Sequence, residues 1–429
     1  MAGLAAAVRG QVVWNVNSTA RGGGVAELLG SLIPYDRGAG VDEQWVVVDG
    51  TPSFFSTTKK LHVLLHGLAV DGTLDDSDRR RYDEATSRNA TALAQLMHRG
   101  DVAILHDPQT AGLIPTLSSR GVHVIWRAHI GVNQPNDNVR SAWSFLSPYL
   151  ATAEAYVFSR KAFAWDGLDE ARVHIIAPCI DPFATKNRDL TAEETHEILH
   201  ASGLFQGGAA SSLVTRTAQL EGAAIPEDAR VVVQVSRWDR LKDPAGVMDS
   251  FAAEVAPRTD AWLMLAGPAP TSVQDDPEQP GILRELSEQR QAMPAPARDR
   301  VVLAQLPMDD LDENALMVNA LQRRANVVMQ KSLAEGFGLT VAEAMWKSRP
   351  VVASRVGGIE DQIEDGKSGL LIDDPHDLVA FGAAVADLLN DPTRARKLGD
   401  EAHSRIARKF ISPRHLIEQA QLIRTVLAD

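Results

Sequence analysis

Short runs of apolar, mostly β-branched residues recur along the chain. Between them lie stretches with hydrophobic positions three and four apart. The first set predicts strands over 11–16, 44–48, 102–105, 123–126, 155–158 and 173–176. After a gap, a second set predicts strands over 231–235, 262–266, 301–304, 327–329, 351–353 and 370–372. Several are apolar throughout and do not alternate, as expected of parallel strands covered on both faces. Amphipathic stretches such as 25–32 and 378–389 supply the helices. Strand–helix alternation, given twice, predicts two doubly wound, Rossmann-like α/β domains facing a cleft. Open parallel sheets take ligands at the carboxyl ends of their strands. Polar loops after strands of both halves are therefore expected to meet there.

The break falls within 187–229, where a polar helix over 191–200 precedes Gly203-Leu-Phe-Gln-Gly-Gly and a tract rich in Ala, Ser and Thr. It reads as a linker helix and the entry to the second domain. The domains are expected over 1–188 and 189–412, with a last helix within 413–429 after Pro413. Residues 268–296, rich in Pro, Gln and acids, read as a surface insertion.

Composition narrows the classes. A chain of 429 residues exceeds one ordinary core, and 45% hydrophobic with 23% charged content is that of a soluble globular protein. A net charge of −13 disfavours binding to a nucleic-acid backbone, while local basic clusters remain able to hold a small anion. The single cysteine, Cys179, excludes an intrachain disulfide framework and fits a reducing cytoplasm. It reads as a small buried residue. No apolar run reaches the ~20 residues of a membrane span, and the Ala-rich start is too short for a secretory signal.

The segment Lys331-Ser-Leu-Ala-Glu335-Gly336-Phe337-Gly338-Leu339-Thr-Val-Ala-Glu343 sets two carboxylates on either side of a glycine turn that opens a helix. Carboxylates accept hydrogen bonds from sugar hydroxyls, and the N–H groups of a helix start attract anions. Sugar and phosphate together suggest a nucleotide sugar. Glu335 has no local structural duty. Glu343 fits either a ribose contact or a capping box with Thr340.

Other candidates also follow strands. Gly22, Gly23 and Gly24 let a ligand approach the backbone, although a plain tight turn is the alternative. Arg237 and Lys242 supply two cations for a diphosphate and for charge on a leaving nucleotide; the alternative is a basic loop paired with Asp239 and Asp243. His129 can donate to a sugar hydroxyl or stabilise a charged transition state. Asp107 or Gln109 would hold an acceptor sugar, or simply form a turn. Gly357-Gly358 suggests backbone approach or a turn. The groups Asp75-Asp-Ser-Asp78 and Asp310-Leu-Asp312 read as caps or solvated faces. No zinc spacing, P-loop or Gly-x-Ser-x-Gly is present.

The Glu335–Glu343 spacing resembles the E-x7-E motif of retaining glycosyltransferases of family 4, which have the two-domain B-type (GT-B) fold. Asn17-Ser-Thr-Ala-Arg-Gly-Gly-Gly-Val-Ala-Glu, His106-Asp-Pro-Gln, Trp126-Arg127-Ala-His129-Ile and Pro178-Cys-Ile-Asp-Pro-Phe, followed by Lys186-Asn, resemble the branch holding trehalose synthases and retaining trehalose phosphorylases.

The resemblance implies that Glu335 contacts donor glucose, Glu343 the ribose, and Arg237 and Lys242 the diphosphate, under a loop of Gly22–Gly24. Gly336 to Leu339 complete the donor site. His129 contacts the transferred glucose, and Asp107, Gln109, Arg127 and His129 line the acceptor side. The last helix crosses back to the first domain. No metal and no further cofactor are implied, and the exposed helices of such folds leave a homodimer open. Ala128 and Gly131-Val-Asn-Gln-Pro depart from the residues expected beside the histidine, a region that faces the acceptor.

The leading expectation is a retaining glucosyltransferase that moves glucose from a nucleoside-diphosphate glucose to glucose, forming α,α-trehalose, with reversal open. The alternatives are a trehalose phosphorylase, a relative with another acceptor, a sugar-nucleotide epimerase and a non-catalytic sensor.

Overall fold

The computed structural model describes all residues except 1, 21–22, 209, 271–277 and 429. The chain divides into two units, one of 1–179 with 412–429 and one of 180–411.

In the first unit six strands lie parallel: β1 (Val13–Asn17), β2 (Glu43–Val47), β3 (Val102–His106), β4 (His123–Ala128), β5 (Ala155–Phe158) and β6 (Val173–Ile175). Their order is β2-β1-β3-β4-β5-β6. Alternate residues of β3 serve opposite faces. Ala103 and Leu105 join the core containing Phe54, Tyr82 and Trp126, whereas Val102 and Ile104 join one containing Leu4 and Ile423. Burial on both faces is why the strand reads as one apolar run.

The second unit holds β7 (Gln219–Glu221), β8 (Val231–Val235), β9 (Trp262–Pro268), β10 (Val301–Leu306), β11 (Val327–Gln330), β12 (Val351–Ser354) and β13 (Leu370–Ile372). Their order is β13-β12-β11-β8-β9-β10-β7. All pairs are parallel except β7 with β10. The sequence pattern does not predict β7, because a short polar edge strand carries no apolar signal.

Several expectations need correction. The division falls after Cys179, not after Arg188. The helix Ala192–Ala201 is no linker: it packs on the helix Leu311–Arg324 of the second unit and buries Ile198 and Leu199. Most of 268–296 is not a loose insertion, since the helix Gln279–Ala292 sends Ile282 and Leu286 into the core. Other expectations hold: the last helix, Ser412–Val426, returns to the first unit, where Ile423 and Val426 pack with Leu4 and Val8. Cys179 is buried with Leu28, Leu32 and Leu416. Asp75 and Asp310 are helix N-caps. Among the described residues no helix is long and apolar enough to cross a membrane.

Candidate active site

In the first unit the site grows from the carboxyl ends of β3 and β4. His106 closes β3. The chain then turns at Asp107, whose φ of 62° is rare for a side-chain-bearing residue and marks stored strain. The turn is held from β4: Asp107 N–H donates to the Arg127 carbonyl at 2.8 Å, and its Oδ1 accepts the His129 N–H at 2.7 Å. Burial pushes the Asp107 carboxyl up to about 7.

A buried hydrogen-bond chain reaches His129. Asp36 and Glu43 are both buried and bond to each other, which requires a shared proton. Burial raises both carboxyls, so the pair keeps one proton between them. Glu43 Oε1 accepts from Asn15 Nδ2 at 2.5 Å. Asn15 Oδ1 stands 3.0 Å from His106 Nε2, and His106 Nδ1 stands 3.0 Å from His129 Nε2. The amide oxygen only accepts, so His106 carries its proton on Nε2 and accepts at Nδ1. His129 must then donate from Nε2, leaving a lone pair at Nδ1. Burial, then the Arg127 charge, push both imidazoles well below their ordinary range, so both are neutral. His129 therefore offers an acceptor, not the donor that the sequence suggested.

Gln109 and Arg127 divide. Gln109 Oε1 is buried and meets no donor among the described residues, so a ligand hydroxyl would suit it. Arg127 is buried, bonding His415 Nε2 at 3.1 Å and the Ile176 carbonyl at 3.3 Å. It ties β4 to the last helix, which corrects its acceptor role. Gly23, with φ 80°, begins the helix Gly24–Gly38 with no side-chain cap and with open space beside it. Gly22 lies outside the described residues.

In the second unit two loops at adjacent strand ends are zipped together. Leu333 N–H donates to the Leu241 carbonyl at 2.7 Å, and Gln234 Nε2 donates to the Lys242 carbonyl at 2.9 Å. Buried Lys331 pairs with Asp243, which also caps the next helix through Gly246 N–H at 3.0 Å. This scaffold sets Lys242 Nζ 2.5 Å from Glu335 Oε2. Arg237, just after β8, is partly exposed and lies 3.6 Å from Asp239.

Gly338, with φ 85°, precedes the helix Leu339–Trp346, and no side chain caps it. The first amides of that helix are left for an anion. The capping box at Thr340 is thus absent. Glu343 sits inside the helix with its side chain 4% exposed, 3.7 Å from Lys186 Nζ and 3.4 Å from Gln322 Nε2. Beside it, burial lowers the Lys347 pKa, yet its ammonium meets Gln322, Asn187 and the Glu343 carbonyl, three acceptors that favour the charged form. Phe337 turns its ring inward against Phe410, so only its backbone remains for a ligand. Gly357 and Gly358 admit the protein's own backbone: a Cβ on Gly357 would lie 1.6 Å from the Glu335 carbonyl oxygen.

Sequence reasoning missed Asp36, Glu43 and Asn15, and gave His106 no role. Asn15 and His106 are polar residues inside apolar strands, a signal that was legible. Glu43 gave none.

Comparison with known proteins agrees with this architecture. A family model for the trehalose synthase N-terminal domain matches residues 15–165, and one for group 1 glycosyl transferases matches 215–405. A trehalose synthase of Rubrobacter xylanophilus is 35% identical over 427 residues, 99% of this chain and 92% of that one. A trehalose phosphorylase of Pleurotus pulmonarius is 27% identical over 417 residues, 91% of this chain but 54% of its own length. An α,α-trehalose-phosphate synthase (UDP-forming) from Burkholderia vietnamiensis has the same fold, with a TM-score of 0.72 at 16% identity and 97% of each chain covered. The molecule is a two-domain α/β glycosyltransferase of the GT-B fold. Within that class the chain belongs to the trehalose synthase family, whose members carry out trehalose-related glycosyl transfer.

Proposed function

We propose that this enzyme moves glucose from a nucleoside-diphosphate glucose to glucose, with retention, to give α,α-trehalose. The observation that carries the reading is the Lys242–Glu335 contact at 2.5 Å, with Arg237 on the loop that holds Lys242. Cations suited to a diphosphate stand directly beside a carboxylate suited to hexose hydroxyls. On donor binding the pair separates: Lys242 and Arg237 turn to the phosphates and Glu335 to the sugar. The uncapped helix start after Gly338 adds N–H donors. Glu343 reaches the ribose only by giving up Lys186.

The acceptor glucose meets Asp107 and the orphan oxygen of Gln109, while His129 Nδ1 accepts a sugar hydroxyl. The bond from the donor's anomeric carbon to the phosphate oxygen breaks, its electron pair leaving with the nucleotide. The acceptor hydroxyl attacks from the same face and passes its proton to the departing phosphate. Positioning and fixed charge supply the rate.

The similarity to a trehalose phosphorylase favours one second reading, with inorganic phosphate in place of the nucleotide. The test is a grid of ADP-, UDP- and GDP-glucose with glucose, products resolved by anomer. Alongside it, trehalose is supplied with phosphate or with each nucleoside diphosphate. α,α-Trehalose from a nucleotide donor is expected. Glucose 1-phosphate from phosphate alone, with every nucleotide donor inert, would overturn the synthase reading.

A further inference from the structure

Away from the residues assigned to transfer, a histidine pair and a glutamate converge on one point. His196 and His200 lie one turn apart on the helix Ala192–Ala201 and so share a face. Their rings are 4.0 Å apart by centroid. Glu227 approaches both, with Oε1 3.0 Å from His196 Nδ1 and Oε2 3.6 Å from His200 Nε2. One ligand atom from each residue lies within 4.8 Å of the others. Ligand atoms around a tetrahedral ion at ~2.0–2.2 Å stand roughly 3.3–3.6 Å apart, so side-chain rotation has to draw the three together on an ion.

The surroundings hold the three in place. His200 is buried beside Phe205, and its Nδ1 edge lies beside Gly207, where an added Cβ would come within 3.0 Å of it. Its Nε2 faces Glu227. The Glu227 backbone carbonyl accepts from Arg324 at 2.7 Å, which fixes the loop and leaves the carboxylate oxygens to the imidazoles. The group borders a solvent-open hollow of about 330 Å³ that Arg323, Arg324 and Arg349 also line, so water has access to a fourth position while the arginine charges oppose a cation and the imidazole and carboxylate ligands must outweigh them.

We propose that His196, His200 and Glu227 form a binding site for a divalent transition-metal ion, with Zn²⁺ the best match. Two imidazole nitrogens and a carboxylate oxygen form a borderline donor set, which suits zinc and its neighbours better than magnesium or calcium. Two ligands lie on a helix and the third on the strap that returns from it. The ion therefore clips residues 200–227 into a closed loop and stabilises the second unit by binding only the folded form.

The test uses the full chain, stripped with EDTA and titrated with Zn²⁺ alone in chelator-free buffer by equilibrium dialysis and calorimetry. One saturable equivalent per chain is expected, with a rise in melting temperature. H196A and E227A remove ligands whose side chains are 53% and 63% exposed, so the fold should survive, as circular dichroism would verify. Each is expected to weaken uptake by at least about tenfold and to abolish the thermal shift. E227Q keeps the shape of the side chain and should weaken uptake as well. Uptake unchanged in all three variants, or no saturable equivalent in the wild-type chain, would overturn the site.

Discussion

His106 Nδ1 lies 3.0 Å from His129 Nε2, and the rings stack with centroids 5.3 Å apart. Both imidazoles are neutral, so the contact is a single directed hydrogen bond and not a charge pair. Its direction is set away from the rings, by Asn15, whose amide nitrogen is committed to Glu43 Oε1 and whose oxygen therefore faces His106 Nε2. An acceptor at the start of β2, Glu43 Oε1, thus orients the amide that decides which nitrogen of His129 is left to meet a sugar.

His106→Phe keeps a ring of similar size but removes the acceptor. His129 is then free to rotate and to change tautomer. Turnover is expected to fall by roughly 10- to 100-fold, as for other lost positioning partners, with donor affinity unchanged. Initial rates set beside nucleotide binding by calorimetry check this. A mere loss of stability, with kcat intact in the folded fraction, would leave His106 no part in positioning.

Glu43→Gln and Glu43→Ala should behave differently. Glutamine copies the protonated acid, since its oxygen accepts from Asn15 and its amide donates to Asp36. Activity within about twofold of wild type is expected, because the hydrogen-bond pattern is kept. Alanine leaves buried Asn15 and Asp36 without that partner, at about 1–3 kcal/mol for each unsatisfied group, and frees the relay. Urea melts and kcat for the pair of variants decide it. Equal damage by both would mean that the carboxylate, not the acid, is the native form.

How legible this was depends on where each signal sits. Both sheets followed from apolar runs, because parallel strands buried on two faces carry their pattern locally. The helix Gln279–Ala292 was hidden by the prolines and glutamines around it, although Ile282 and Leu286 stand at helical spacing. Lys242 and Glu335 were recognisable by their motifs, but their contact depends on Lys331, which was given no role, and on Asp243, which was read only as a partner for the basic loop and pairs with Lys331 instead. Arg127 failed because a charged residue after a strand looks alike whether it meets a ligand or the buried His415. Glu43 could not be found, since its role arises from neighbours on other strands.

Arg237→Ala is expected to lower turnover by about two powers of ten or more through lost stabilisation of the leaving diphosphate. Glu335→Gln should harm transfer more than nucleotide binding, because its partner in the proposed complex is the sugar. Turnover and nucleoside diphosphate affinity, measured on both variants, separate the roles. Near-normal turnover in the first, or equal losses in the second, would count against the assigned donor site.

Asp107 gives a dependence of stability on pH. Its carboxyl lies at about 7 in the folded chain, against an ordinary 3.8. Between those values the folded chain keeps a proton that the unfolded chain has released. Stability from this group is therefore fully present below about 4 and is lost as pH rises through 7. Asp36 and Glu43 are also raised and act in the same sense. Asp107→Asn should reduce the slope of stability against pH across this window without removing it. Urea denaturation at several pH values measures it, and an unchanged slope would place the titration elsewhere.

Gly357 supports Glu335 through backbone alone. Its φ is 50°, and a Cβ there would lie 1.6 Å from the Glu335 carbonyl oxygen, a distance no side chain can occupy. Gly357→Ala must push the 335–338 turn away and carry Glu335 from Lys242. The strained φ alone costs about 1–2 kcal/mol, and displacement of the turn adds to it. The expected result is a lower melting temperature together with a loss of turnover larger than that stability change explains. Gly366→Ala is the control, since its φ of 73° is also positive but open space surrounds it. If the two variants lose stability alike and keep their activity, the close approach at Gly357 has no part in setting Glu335.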